Sequence, residues 1–109
     1  MDMERLIKEY FDFFSNKDIS SLEKLFAKDV KLVDWETYAE GKDEVIKANK
    51  KIFDQVDTLQ IVVNNLYLNG QTAICLIDIL INKSEKLKVI DLIRFNNDNK
   101  ITLISAYKQ

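Results

Sequence analysis

An aspartate lies on the apolar face of a strand that is predicted near the end of the chain, in the segment KVIDLIRF, residues 88–95. Every second residue counted from Asp91 is apolar, and the basic residues of the segment face the other way. The apolar residues are Leu87, Val89, Ile93 and Phe95. An ionised carboxylate without a partner is too costly to bury. The pattern therefore predicts that Asp91 is paired with a base or protonated, unless the strand is misassigned.

Two further residues have side chains suited to proton chemistry. Tyr10 lies midway along the apolar face of a predicted first helix, and its phenol can donate a hydrogen bond. Asp34 ends a short predicted strand, LVDW, where a partly wetted carboxylate can act as a base. Each residue also has an ordinary structural interpretation. Tyr10 would be a core aromatic and Asp34 a turn residue, and Asp91 would lie on an edge strand, paired with a base such as Lys108.

The composition restricts the available chemistry. The chain has 109 residues and no histidine, which excludes Ser-His and Cys-His mechanisms and most metal hydrolases. Its two glycines, Gly41 and Gly70, form no phosphate-binding loop. The one cysteine, Cys75, lies in the apolar run AICLI and is typical of a small core residue. We therefore expect no metal and no cofactor, and proton transfer by carboxylates, tyrosine, lysine or cysteine.

The length of the chain indicates a single domain over residues 1–109. The net charge is -2 with acids and bases intermixed, which predicts no nucleic-acid partner. The start MDMERLIKEYFDFF does not resemble a signal peptide, and no segment has the ~20 apolar residues of a membrane span. The sequence therefore predicts a cytoplasmic protein that makes no membrane contact.

Hydrophobic periodicity predicts an α+β fold in the order α-α-β-α-β-β-β-β, with three N-terminal helices packed on one sheet. The predicted helices are residues 2–15, a short segment after Asp18, and residues 42–56. A strand in DVKLVDW and a loop, TYAEG, separate the second helix from the third. From Thr58 onward the chain is all strand. The breaks are Asn69-Gly70, Lys83-Ser84-Glu85 and Asn96-Asn97-Asp98-Asn99, and such short connections predict antiparallel neighbours.

The three hairpins predict a register for these strands. Loops centred on Asn69-Gly70, Ser84-Glu85 and NNDN place Leu68 opposite Gln71, Asn82 opposite Leu87 and Phe95 opposite Lys100. The same register places Asp78 opposite Asp91. Two carboxylates about 5 Å apart on an apolar face cannot both ionise easily, so this register predicts a coupled pair. Moving the loop centre by one residue would break the pairing.

Both faces of the predicted sheet are apolar in the middle. The helices cover one face, and the other would expose a large apolar patch on a monomer. We therefore expect a homodimer packed through this outer face. The register assigns to it Val62, Leu66, Ala73, Cys75, Ile77, Ile79, Ile81, Ile90, Leu92, Arg94, Leu103 and Tyr107.

Four stretches follow one another in this element order: EYFDFFSNKDISSLEKLFAKDVKLVDW, GKDEVIKA, KVIDLIRF and the closing ISAY. Together they resemble the nuclear transport factor 2-like superfamily, in particular its ketosteroid isomerase and SnoaL-like (polyketide cyclase-like) branch. The resemblance implies a cone-shaped, cystatin-like fold with the helices on a curved, mostly antiparallel sheet. Ketosteroid isomerases have an active-site tyrosine in a context like KEYFDF and active-site aspartates in contexts like LVDW and VIDLIRF. Those positions fall on Tyr10, Asp34 and Asp91.

The resemblance implies a small-molecule enzyme that transfers a proton next to a carbonyl, as an isomerase or cyclase-like activity. Asp34 would be the base, and Tyr10 and a protonated Asp91 would donate hydrogen bonds to the oxyanion, the arrangement of ketosteroid isomerases. A non-catalytic small-molecule-binding protein and a dimeric assembly module of the same fold are the alternatives. We expect the pocket to be lined by Phe14, Trp35, Asn49, Phe53, Leu76, Asp78, Val89, Ile104 and Ala106.

The chain departs from the ketosteroid isomerase pattern at four positions. Phe26 and Asn49 stand where one branch has tyrosines that support the helix-one tyrosine. Lys108 stands where a pocket tryptophan would close the cavity, and Asp78 replaces an expected apolar residue. The resemblance with these changes favours a ligand that is smaller or more polar than a steroid.

Overall fold

The computed structural model describes residues 2–109, and Met1 lies outside the described residues. The elements in chain order are α1 Met3–Ser15, α2 Ile19–Leu25, β1 Phe26–Val33, β2 Tyr38–Glu40, α3 Lys42–Gln55, β3 Leu59–Asn69, β4 Thr72–Ile81, β5 Glu85–Phe95 and β6 Ile101–Lys108. This confirms the predicted α+β fold of helices packed on one sheet, with one correction. The segment TYAEG, predicted as a loop, contains β2, which pairs with β1 through Ala39 opposite Leu32. A three-residue strand is too short to show an alternation in the sequence.

The six strands form one sheet in the order β2-β1-β6-β5-β4-β3. The last four strands are an antiparallel meander, as predicted, and β1 returns parallel to β6, with Leu32 opposite Ile104. Register shifts leave one residue unpaired in each of two strands, Asn64 in β3 and Thr102 in β6. Bulges of this kind bend a strand, which agrees with the curvature of the sheet around the helices.

Aspartates begin the first two helices, as the sequence predicts. Asp2 Oδ1 accepts the amide N–H of Arg5 at 3.1 Å, and Asp18 Oδ1 accepts that of Ser21 at 3.2 Å. The face of α1 that follows its cap is buried from Met3 to Phe11, and Tyr10 lies on it. Cys75 is fully buried, which confirms it as a core residue.

The first hairpin turns one residue later than predicted. Asn69 lies opposite Thr72, so the turn is Gly70-Gln71 rather than Asn69-Gly70, and Leu68 lies opposite Ala73 rather than Gln71. Gly70 takes a positive φ of 60°, which glycine adopts at little cost. Because the pairing shifts by two residues, Leu66 still shares a face with Ala73 and Cys75, as predicted. Beyond the bulge after Val63, Ile61 lies opposite Ile79, so the predicted relation between the two strands is lost at the other end of β3.

The second hairpin overturns the predicted face of β4. Ile81 lies opposite Glu85, and the turn runs through Asn82 and Lys83, whose φ values of 53° and 61° are those of a type I′ turn. The Ser84 amide closes this turn by donating to the Ile81 carbonyl at 3.1 Å. The predicted centre at Ser84-Glu85 is therefore wrong. An odd shift in register turns every side chain of a strand to the other face.

The predicted Asp78–Asp91 pair is wrong for this reason. Cys75 lies opposite Asp91, and Asp78 lies opposite Lys88 on the outer face of the sheet. The Asp78 carboxylate is within 3.4 Å of the Lys88 Nζ and 3.8 Å of the Lys86 Nζ. These cations and a hydrogen bond from Asn64, which is the largest cause, hold the pKa of Asp78 below its ordinary value.

The third hairpin keeps its predicted faces although its register differs. Phe95 lies opposite Ile101 rather than Lys100, and beyond the bulge Asp91 lies opposite Ala106. The side chain of Asn96 organises the loop by accepting the amides of Asp98 and Lys100, at 2.9 and 3.1 Å. Ile104 and Ala106 therefore share the inner face with Asp91, as predicted.

The outer face of the sheet is apolar, but its members differ from the predicted set. Leu66, Ala73, Cys75, Ile77, Ile79 and Ile81 lie on the inner face, against the prediction, because of the bulge in β3 and the turn at Asn82-Lys83. The apolar residues that do lie outward are Val62, Tyr67, Ile74, Leu76, Leu80, Ile90, Leu92, Leu103 and Tyr107. Within residues 2–109, no helix combines the length and the apolar character that crossing a membrane requires.

Candidate active site

A cavity of about 190 Å³ lies between the helices and the inner face of the sheet. Most of its wall is apolar and comes from α1, α3 and the strands β3 to β6. The polar side chains in the wall come from α1, α3, β5 and the segment that follows β1. They are Tyr10, Asn49, Asp91, Asp34, Glu36 and Thr37. A mostly apolar pocket with a few converging polar groups is typical of a small-molecule site.

Tyr10 is a buried donor in this wall. It is 4% exposed, and its ring packs at a tilt against Phe11, Phe14 and Phe26, with centroid distances of 5.2, 6.2 and 6.4 Å. Burial is the main cause that raises the pKa of Tyr10 well above its ordinary value, and the charge of Asp91 adds to it. The phenol therefore stays neutral at physiological pH and can donate a hydrogen bond.

Asp91 is held on the inner face at the middle of β5, where it is 7% exposed. Burial, followed by the negative charge of Asp34, raises the pKa of Asp91 from 3.8 to about 7. Asp91 is therefore partly protonated near neutral pH. The structural alternative for this residue is wrong, because β5 lies between β4 and β6 rather than at an edge. Lys108 lies opposite Val89, and its Nζ is 5.9 Å from the centroid of the Trp35 ring.

Asp34 combines a turn role with a place in the cavity wall. Its Oδ1 accepts hydrogen bonds from the amides of Glu36 and Thr37 at 2.8 and 2.7 Å, so Asp34 has the turn role of its structural interpretation. The half-buried side chain also lines the cavity, and its charge acts on Asp91. Both of these backbone bonds end on Oδ1. The turn therefore fixes the direction of the carboxylate, and Oδ2 takes no part in these two hydrogen bonds.

Six of the nine predicted pocket residues line the cavity together with Tyr10, Asp34 and Asp91. They are Phe14, Trp35, Asn49, Val89, Ile104 and Ala106. Three do not line it. Phe53 is buried behind the wall and packs edge-on against Phe14, with centroids 4.9 Å apart, and Leu76 and Asp78 lie on the outer face.

Sequence reasoning missed the part of the wall that β4 provides. Ile77, Ile79 and Ile81 line the cavity, whereas the predicted register placed them outside. Both faces of this strand are apolar, so alternation alone carried no signal to choose between them. The positive-φ preference of Asn82 was the local signal for an earlier turn. Among residues 2–109, no group of three or more histidine, cysteine or acidic side chains is placed to hold a metal ion.

The fold, three helices on a curved six-strand sheet, is found in many solved structures. A proposed SnoaL-like polyketide cyclase from Shewanella denitrificans is 11% identical, with a TM-score of 0.88, and the match covers 98% of this chain and 90% of that one. A proposed ketosteroid isomerase from Kribbella flavida is 16% identical, with a TM-score of 0.85 and coverage of 98% and 77%. A protein with a cystatin-like fold from Methylobium petroleophilum is 14% identical, with a TM-score of 0.83 and coverage of 97% and 74%.

The family follows from the sequence itself. The model of the SnoaL-like domain family matches residues 7–104, which is most of the chain. The protein therefore belongs to the SnoaL-like domain family, within the nuclear transport factor 2-like fold that the sequence resembles. No curated protein matches the chain.

Proposed function

We propose that the protein is an enzyme that moves a proton at a carbon next to a carbonyl group, as an isomerase or a cyclase-like activity. Asp34 removes the proton, and Tyr10 and protonated Asp91 donate hydrogen bonds to the oxygen on which negative charge develops. An enolising ketone needs both parts, a base for the carbon proton and donors for the oxyanion.

The observation that carries this proposal is the presence of two neutral donors and a carboxylate in one cavity. Burial keeps Tyr10 protonated and holds the pKa of Asp91 at about 7, so both side chains can donate near neutral pH. Donors in a water-poor site stabilise an oxyanion more strongly than the same groups in water. The turn at Asp34 supports its role as base because it holds the carboxylate in one direction.

The size of the cavity limits the substrate. Its volume of about 190 Å³ is modestly larger than the ~150 Å³ of an engineered protein cavity that binds benzene. Clefts that hold drug-sized ligands are ~300–1,000 Å³. The substrate is accordingly a compound of one ring or a short chain, and a steroid is too large for the cavity in this conformation.

Proton transfer can be measured before the natural substrate is known. We expect the protein to accelerate the exchange of the α-hydrogens of cyclohexanone for deuterium in D₂O, followed by NMR, with a rate that saturates with ketone concentration. Cyclohexanone has one ring and one carbonyl, so it matches both the volume and the donors. The buffer alone and the protein unfolded in urea are the controls. If several one-ring ketones bind but exchange no faster than in buffer, the proposal is wrong.

One observation favours a second candidate, a small-molecule-binding protein without turnover. The Oδ1 of Asp34 is already engaged by two backbone amides, which gives this residue a structural reason to be present. In that case Tyr10 and Asp91 would hold a ligand oxygen and no base would act on it. Saturable binding of one-ring ketones without exchange would support this candidate.

We also propose that two copies of the chain pack through the outer face of the sheet. Tyr67, Ile74 and Tyr107 are 56%, 39% and 56% exposed on it, and half-buried leucine and isoleucine residues join them across the strands from β3 to β6. Neighbouring strands bring Ile74 opposite Leu92, so the apolar surface is continuous. A two-fold dimer needs one such self-complementary surface on each copy.

Sedimentation velocity at micromolar concentration tests the dimer. We expect a species of twice the mass of one chain, and Ile74→Glu should convert it to a monomer with an unchanged circular dichroism spectrum. A charge on an exposed position is tolerated by the monomer but not in an apolar interface. Lys50→Glu, an exposed change on α3, is the control and should leave the dimer intact. A wild-type monomer under these conditions would contradict the proposal.

A further inference from the structure

Asn49 lies in the middle of α3, where neither helix stability nor core packing explains it. It is 3% exposed and lines the cavity on the same side of α3 as Ile52 and Val56. Asparagine is a weaker helix former than leucine, and it is too far from either helix end to serve as a cap. A leucine here would continue the apolar stripe that α3 presents to the cavity.

The amide nitrogen of Asn49 is buried without a partner. Among the side-chain nitrogen and oxygen atoms of residues 2–109, Asn49 Nδ2 is the one fully enclosed atom that has no hydrogen bond. Leaving a buried donor unsatisfied costs about 1–3 kcal/mol, and native proteins keep few such groups. A local rule that is broken without a structural gain is expected at a functional position.

We infer that Asn49 binds the ligand of this cavity, and that this ligand carries a second oxygen besides the one that Tyr10 and Asp91 hold. The inference rests on the proposed function for the first oxygen and extends it to the substrate class. The substrate is a one-ring or short-chain carbonyl compound with a further hydroxyl or carbonyl oxygen. This oxygen accepts a hydrogen bond from the Asn49 amide once the side chain rotates to turn its enclosed nitrogen toward the cavity.

The amide can serve such a ligand in either of its two orientations. Its nitrogen and oxygen ends have nearly the same shape, so rotation of about 180° about the terminal bond exchanges them. A ligand hydroxyl can accept from the nitrogen or donate to the oxygen. A methyl group in the same place can do neither and would leave the amide without a partner.

Matched phenols test the inference without any turnover. The probes are catechol, resorcinol and hydroquinone, each compared with the cresol that has a methyl group in place of its second hydroxyl. We expect at least one diol to bind the wild-type protein more tightly than its cresol, with a preference that falls roughly 3- to 10-fold in Asn49→Leu. Isothermal titration calorimetry measures both dissociation constants on the same scale.

Two further measurements separate ligand binding from a structural role. Asn49→Leu should raise the melting temperature of the ligand-free protein by about 4–8 °C, because it removes an unsatisfied buried amide and keeps the branched shape of the side chain. In the wild-type protein, the Asn49 side-chain amide signals in a ¹H–¹⁵N spectrum should shift with the preferred diol and much less with its cresol. This second measurement does not depend on the variant folding.

The inference and the proposed function can fail separately. If the diol-to-cresol ratio is the same in the wild-type protein and in Asn49→Leu, Asn49 is not a ligand-binding residue, whatever happens to cyclohexanone. If no phenol binds the wild-type protein, or the amide signals do not move, the inference is also wrong. If the ratio falls as expected but no ketone exchanges its hydrogens, Asn49 keeps its role and the protein is a binding protein.

Discussion

Asp91→Asn is expected to stabilise the protein by about 4 kcal/mol at pH 8 and by almost nothing at pH 4. The folded protein keeps the Asp91 proton up to a pKa of about 7, whereas the unfolded chain releases it near 3.8. The folded state therefore binds more protons between these values. The contribution of Asp91 to stability is fully present below pH ~4 and is lost as the pH rises to 7. Asparagine has nearly the same shape and no charge, so it escapes this loss.

Urea unfolding of the wild-type protein and the variant from pH 4 to pH 9 measures the effect. The difference in unfolding free energy should grow between pH 4 and 7 and then stay constant. Asp78→Asn is the matched control, since Asp78 lies on the neighbouring strand but faces outward between Lys86 and Lys88. Removing an acid whose pKa is lowered should give no gain at high pH. A difference that does not change with pH in Asp91→Asn would contradict the buried, protonated carboxyl.

The same variant reports on the proposed chemistry. Wild-type exchange of cyclohexanone should fall as the pH rises above 7, about tenfold per pH unit, because the donor form of Asp91 disappears. The amide of Asp91→Asn donates at every pH, so this fall should vanish. Asp91→Leu has no donor, and its rate should drop by about 10²–10³.

Much of the fold could be predicted because each element has a local cause. Asp2 and Asp18 begin helices, and the apolar stripe of α1 faces the core. The face of β5 was also predictable, because the basic residues Lys88 and Arg94 lie on the other face of the strand from Asp91. The family resemblance grouped Tyr10, Asp34 and Asp91, and all three line the cavity.

The pairing across the second hairpin could not be predicted in the same way. Its loop contains neither glycine nor proline, and the five polar residues in a row from Asn82 to Lys86 allow several centres for the turn. β4 is apolar on both faces, so no alternation opposed the wrong choice. This three-residue error in register turned every side chain of the strand to the other face, which placed Asp78 beside Asp91 and Ile77 outside the cavity. Asn49 was predicted as a pocket residue. That its amide nitrogen lacks a hydrogen-bond partner could not be predicted, because this depends on the side chains packed around it.

Asp34→Asn is expected to lower the exchange rate of cyclohexanone by about 10²–10⁴ while the fold is kept. An amide cannot remove a carbon proton, but its oxygen can still accept the Glu36 and Thr37 amides that Asp34 Oδ1 accepts. Loss of the base is thereby separated from loss of the turn. Asp34→Ala removes both, so it should lose the same activity and also some stability. Thermal unfolding of the two variants measures that difference.

Asp34→Asn should also change the pKa of a second residue, Asp91. The charge of Asp34 is the second cause, after burial, that raises the pKa of Asp91, so its removal should lower that pKa below about 7. A carboxyl ¹³C titration of Asp91 in the wild-type protein and the variant gives both values. A lowered pKa with a lost rate is the result expected of a base that faces the oxyanion donor across one cavity. A lowered pKa with an unchanged rate would show that Asp34 is a turn residue whose charge reaches the cavity, and the binding protein would then be the better account.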